Sequence, residues 1–205
     1  MAIITAAQAK AYIPTLSASS STDDTLLNTL ISRFDTVAAG HLGFVRQSSG
    51  AISIESGTYV EYLDGPGGRE LHLSAKPVTS VASIYDDPDA EYTADELIAA
   101  SDYTLYGIEG LVMLDTTGAD TYFSTAHRAI KATYTGGYGD AGATMPTGIK
   151  HAACLQVAHW YNHRASIGKT NVSSQGQSAN LQSLDLLPEV KAALRPYRLA
   201  TNWVG

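Results

Sequence analysis

The sequence predicts an α+β fold: a helical core interrupted by an inserted, mostly antiparallel β module. Two observations define the core. Apolar residues recur at three- and four-residue steps near the N-terminus, and again in a long helix near 146–166 that a short C-terminal helix follows. A third defines the insert: between 51 and 135 the hydrophobic period changes to two, in short runs separated by turn residues.

The elements follow in order. "ITAAQAKAYI" reads as a short helix ended near Pro14, and "TLSASSSTDD" as a polar loop closing on the next helix start. Ser21 stands three residues before Asp24, which is capping-box spacing, and Asp23 and Asp24 place negative charge at the positive end of the helix dipole. Leu27, Leu30, Ile31, Phe34, Val37 and Ala38 then form one apolar stripe, ended by Gly40 or Gly43.

In the insert, "TYVEYL" and "RELHLS" alternate around "DGPGG", which supplies turn residues. Val81 to Tyr85 is a further strand, followed by the polar turn "DDPDAEY", and "DYTLYG", "LVMLD" and "AIKATYT" bring the set to six. Links this short join antiparallel neighbours, because a parallel crossover needs roughly a dozen residues. Pro146 then opens a helix with Ile149, Ala153, Val157 and Trp160 on one side and Ala152, Ala158 and Tyr161 widening that face. "SIGKTNVSSQGQSANLQS" reads as a flexible polar loop. "LPEVKAALRPYR" reads as a short helix with Pro188 near its start, stopped or kinked at Pro196. The expected divisions are 1–50 and 136–194 for the two parts of the core, 51–135 for the β module and 195–205 for a C-terminal arm.

Composition narrows the function classes. The chain of 205 residues is 44% hydrophobic and 16% charged; so low a charged fraction leaves surface free for partners. No apolar run reaches the roughly 20 residues of a membrane span. No export signal is evident and Cys154 is the single cysteine, so cytoplasmic synthesis without disulfides is expected. The net charge of -7 is uneven: residues 51–140 carry 4 basic against 15 acidic side chains, and residues 141–205 carry 6 basic against 2 acidic. A basic tail on an acidic body points to docking on another protein surface, whereas a nucleic-acid-binding domain is more often basic overall.

The motifs that look chemical are incomplete. "GYGDAG", Gly137 to Gly142, spells a dinucleotide fingerprint, yet Ala143, Thr144 and Met145 separate it from the helix and no acid-bearing second strand follows. It reads instead as a hinge from strand to helix. "GKT" at Gly168–Thr170 lacks the first P-loop glycine, since His163 holds that position. His159 and His163 share a helix face and could bind a metal, with His151 two turns earlier; the other reading is an interface or partly buried pair. Cys154 among alanines reads as a packing residue, and the acids of "DDPDAEY" as turn chemistry, although four neighbouring acids could also attract Ca²⁺. No catalytic residue, cofactor or metal ligand is assigned.

The C-terminal segment gathers Arg195, Pro196, Tyr197, Arg198 and Trp203, residue types that anchor interfaces. It either docks on a partner or folds back on its own core. A recognition face of Tyr59, Tyr62 and Tyr85 on the β module is a further reading; strand packing explains the same residues.

In order along the chain, "ITAAQAKAYI", "DDTLLNTLISRFDTVAAGHLG", "LSAKPVTSVASIYDDPD", "SDYTLY", "YTGGYGD", "PTGIKHAACLQVAHWYNHR" and "LPEVKAALRPYR" resemble the head–tail connector (adaptor, head-completion) proteins of long-tailed bacteriophages. The resemblance spans nearly the whole chain. It departs at His163, where the family carries an acidic residue, and at "LATNWVG", which has no family counterpart. It implies a non-enzymatic virion protein at the neck, assembled in the host cytoplasm. It implies a twelve-copy ring joining the portal to a stopper or tail-completion protein. DNA would pass through that ring without sequence-specific binding, and the segment Arg195, Pro196, Tyr197, Arg198 and Trp203 would engage the portal. A neck stopper or tail-completion protein is the alternative in the same class; a small metal-dependent hydrolase using His159 and His163 is the alternative outside it.

Overall fold

The computed structural model describes residues 2–17, 19–139, 144–164, 171–174, 177–180 and 185–199. The chain forms two compact units. One is Met1–Leu42 with Gly139–Arg198; the other is Gly43–Tyr138 with Leu199–Gly205, of which only Leu199 in that last stretch is described.

The helical unit holds α1 (Ala6–Lys10), α2 (Asp24–Leu42), α3 (Thr147–Asn162) and α4 (Pro188–Leu194). A capping box starts α1: the Gln8 amide donates to Thr5 Oγ1 at 3.2 Å and the Thr5 amide to Gln8 Oε1 at 2.8 Å. This Thr5–Gln8 pair was not among the sequence signals. Lys10, only 6% exposed, donates to the Ser20 carbonyl and pairs with Asp24, so the start of α2 is tied to α1. Of the expected stripe, Leu27, Ile31, Phe34 and Ala38 are buried, while Leu30 and Val37 at its margin are half-buried.

α3 departs from the one-sided pattern. Its buried positions are Ile149, Ala152, Ala153, Cys154, Gln156, Val157, Ala158, Trp160 and Tyr161, which span most of the circumference. The reason is that α1, α2 and α4 all pack on it. Arg33 of α2 lies 4.6 Å from the centre of the Trp160 ring.

The β unit contains β1 (Gly57–Leu63), β2 (Glu70–His72), β3 (Val78–Asp86), β4 (Tyr103–Tyr106), β5 (Leu111–Leu114) and β6 (Ile130–Gly136). All six match the expected strands, and every pairing among them is antiparallel. The partners differ from a chain of hairpins. Two sheets form, in the orders β1-β6-β3 and β2-β5-β4, and only β4–β5 joins strands consecutive in sequence. "DGPGG" is accordingly not a hairpin turn between β1 and β2. Its backbone runs beside 123–126: Gly65 N–H donates to Ala126 O at 3.0 Å and Gly67 N–H to Ser124 O at 2.9 Å. A Cβ on Gly65 would stand 2.2 Å from the Ser124 oxygen, so glycine is needed there for close approach.

Inward residues of the first sheet meet around Tyr134. Its ring stacks on Tyr59 at 5.5 Å, its hydroxyl donates to Glu61 at 2.7 Å, and it accepts from the buried Ala75 amide at 3.0 Å. Burial and the neighbouring Glu61 carboxylate push the phenol pKa well up, so it stays protonated and donating. At the strand end Gly137 has φ +93°, and a Cβ there would meet the Glu55 carbonyl at 2.8 Å. Tyr138 closes the unit by donating to Ile54 O at 2.9 Å.

The "DDPDAEY" turn wraps its own acids. Asp87 accepts from the amides of Asp89 (2.9 Å), Glu91 (3.0 Å) and Tyr92 (2.6 Å), and Asp86 accepts from the Ser124 amide and hydroxyl. Burial raises the Asp87 pKa, but the backbone donors of Asp89, Tyr92, Glu91 and Ala90 outweigh it and hold the group below 3.8. Two more strands, β7 (Asn171–Ser174) and β8 (Gln177–Asn180), form a hairpin within the segment expected to be a flexible loop. Residues this polar can still pair, because the ladder uses backbone groups alone.

Two outcomes follow for the β unit. Tyr134→Phe strands the Ala75 amide and is expected to cost about 1–3 kcal/mol in denaturant unfolding. A cost near zero would show that this amide finds another partner. For Asp87 the native pKa is depressed, so its contribution is full above 3.8 and is lost as pH falls through the lower native value. Melting scans from pH 6 down to about 2 should therefore show a steeper acid loss in the wild type than in Asp87→Asn.

Candidate partner-docking surface

The C-terminal segment is placed by one buried polar side chain. Gln156 is fully buried on α3, between Leu155 and Val157. Its Oε1 accepts from the Leu187 amide at 2.8 Å, and its Nε2 donates to the Asp185 carbonyl at 3.4 Å. Leu187 is the N-cap residue of α4 and forms no side-chain cap, so Gln156 satisfies one of the amides that the helix start leaves without an intrahelical partner. Asp185 accepts from the Leu186 amide at 2.8 Å and pairs with Lys191 one turn into the helix at 2.6 Å. Lys191, the Leu186 amide and His41 hold the Asp185 carboxyl below its ordinary range, with the Lys191 hydrogen bond the largest cause. Val190 and Leu194 bury the inner face of α4.

Pro196 ends α4, as its missing N–H requires, and the chain continues as a 3₁₀ turn over Arg195–Tyr197. The segment divides there. Arg195, Pro196 and Arg198 are exposed. Tyr197 is half-buried and folds back on α3: a Cβ added to Gly148 would lie 2.6 Å from its hydroxyl. Trp203, the fifth residue expected in this surface, lies outside the described residues. Among the described residues of this segment, one is thus turned back onto α3 and three are exposed.

The other candidate residues occupy different places. His159 and His163 stack with ring centres 4.3 Å apart, and His163 Nδ1 lies 2.9 Å from the His159 carbonyl. Burial, and then the proximity of His163, push the His159 pKa down. Among the described residues no group of three or more His, Cys, Asp or Glu converges as a metal site. His151 faces Tyr12 instead, with its Nδ1 3.0 Å from the phenol oxygen. Cys154 is buried, its Sγ 3.7 Å from the Gln8 carbonyl, and burial pushes the thiol up to about 11. A thiol with that pKa is not a nucleophile at neutral pH.

Of the three tyrosines of the β module, Tyr59 is fully buried, while Tyr62 is 45% exposed. Tyr62, Lys131 and Tyr85 align across β1, β6 and β3. Tyr92 and Arg128 complete the group: the two tyrosine rings are 5.5 Å apart, and the Arg128 guanidinium lies 5.1 Å from the Tyr62 ring centre. Neither Tyr92 nor the two cations was singled out in the sequence. Tyr92 lies outside the strands, with a φ of +55°.

The comparisons place this architecture. Residues 2–200 match the family model for the head completion protein. The chain belongs to the head completion protein family, structural proteins of the bacteriophage virion at the head–tail junction. Among solved structures the fold is similar to a chain of the native gene transfer agent virion, at 15% identity and TM-score 0.59, covering 99% of this chain and 93% of that one. It is also similar to a chain in the neck of the native particle computed with C12 symmetry, at 15% identity and TM-score 0.55, covering 89% and 86%. A third likeness is to the neck of the empty particle computed with C6 symmetry, at 13% identity and TM-score 0.56, covering 96% and 91%. No curated protein sequence matches.

If Gln156 holds α4, Gln156→Ala leaves the half-buried Leu187 amide without this partner, at a cost of about 1 kcal/mol. Hydrogen exchange should then speed at Leu187 and through α4 while α2 stays protected. Unchanged exchange at Leu187 would remove Gln156 from its positioning role.

Proposed function

We propose that this chain forms a ring that joins the portal of the phage head to the neck and tail and continues the DNA channel. The carrying observation is the near full-length likeness to chains of gene transfer agent necks, two of them described with twelve-fold and six-fold symmetry. Residues Arg195, Pro196, Tyr197, Arg198 and Trp203 engage the portal. Arg195 and Arg198 are presented outward on a turn held by α4, beside a Tyr197 already ordered against Gly148, so little entropy is lost on docking. The tail-side partner is a stopper or tail-completion protein.

The charge distribution supports a conduit. Between 51 and 140 the acids outnumber the bases by 11, and phosphates are repelled where proteins that grip DNA would offer lysine and arginine. DNA therefore passes without being held. The role is structural, carried out in the virion neck after assembly in the host cytoplasm.

Imaging the purified chain mixed with its portal tests the reading. The expected result is a twelve-copy ring seated on the portal. A chain that binds only tail-side components would make it a stopper or tail-completion protein. The double variant Arg195→Glu/Arg198→Glu should weaken portal binding by on the order of 100-fold with melting unchanged. Undiminished binding would move the contact to another surface.

A further inference from the structure

Two features of the chain have backbone hydrogen-bonding groups that meet no backbone partner among the described residues. The first is the outer edge of β1. This strand is terminal in the order β1-β6-β3. The Thr58 carbonyl accepts from the Ser48 amide at 2.8 Å, so Thr58 points its peptide groups away from β6. Alternation without a bulge in the β1–β6 register turns Val60 and Tyr62 the same way. Among the described residues no other backbone group reaches the N–H or C=O of either, and their side chains are 37% and 45% exposed. The opposite edge of the sheet is covered: Val78 N–H donates to Gly107 O at 2.7 Å and Ile98 N–H to Ile84 O at 2.9 Å.

The second is the β7–β8 hairpin, a sheet of two strands whose outer edges meet no other backbone group among the described residues. A hairpin alone is marginal in water and gains most of its stability from a third strand or a packed face. Natural edges are usually blunted by lysine, proline or a bulge. Residues 171–180 contain no proline and no charged side chain. In β1 the one charged residue, Glu61, points inward to Tyr134.

We propose that the β7–β8 hairpin of one copy adds to the free edge of β1 in a second copy, as a fourth strand beside Val60 and Tyr62. The occupant is another copy of this chain because the two edges are alike in having no barrier to pairing, and one chain supplies both. The contact is heterologous, so it propagates from copy to copy and closes when the rotation allows, as a ring requires. This proposal rests on the ring reading above.

Mixing ¹⁴N- and ¹⁵N-labelled full chains, each carrying a benzophenone amino acid at Tyr62, tests it. After illumination of the assembly on portal rings, crosslinked peptides should join position 62 to residues 171–180 and include mixed-isotope pairs. Crosslinks elsewhere, same-isotope pairs only, or none would overturn the pairing. Val60→Pro, which removes an edge amide without disturbing the β6 ladder, should leave the melting temperature unchanged and the chain monomeric by native mass spectrometry. A Val60→Pro chain that folds and still assembles overturns the pairing but leaves the ring standing. A wild-type chain that stays monomeric alone and with portal overturns both.

Discussion

The helical unit depends on α3 having almost no free face. A helix packed on by α1, α2 and α4 is buried around most of its circumference, and an amide side chain buried on it is costly unless it finds partners. Gln156 is where that requirement becomes structure. Its amide bonds the backbone at 185 and 187, where α4 begins and from which the chain leads to Arg195 and Arg198. The buried Lys10 works similarly on the other side, since its charge is accommodated by Asp24 and the Ser20 carbonyl. The placement of the surface proposed for docking thus follows from how the core is satisfied.

In the β unit the corresponding constraint is nesting. β1 pairs with β6, the first strand with the last, so the segments between them must fold back inside that closure. Crowding follows where backbones pass. Gly65 against Ser124, Gly107 against Val78 and Gly136 against Ala75 would each put a Cβ within 2.4 Å of a carbonyl oxygen. These three glycines mark places where one backbone passes close to another. Gly137 belongs to the same set, and it ends the strand run one residue before the unit itself ends at Tyr138.

The groups that suggested chemistry are used for cohesion. Cys154 is buried and protonated, Asp86 and Asp87 accept from nearby amides, and His151 contacts Tyr12. Such uses suit a head completion protein, whose family is structural. Around the exposed Tyr62, next to the outer edge of β1, half-buried tyrosines stack with the cations Arg128 and Lys131.

The sequence by itself determined the α+β class, all six strands of the β unit, the α2 stripe and the proline-set limits of α4. Each is written in a local period or a backbone restriction that a few neighbouring residues carry. The family was legible too, because ordered motifs survive where no single motif is decisive. Only the tertiary structure decided which strands pair, that "DGPGG" runs beside 123–126, that α3 is covered on several sides, and that Gln156 rather than a side-chain cap starts α4. These are choices between distant segments. Their energy comes from burial and from satisfying polar groups after the chain has closed, and no local period records it.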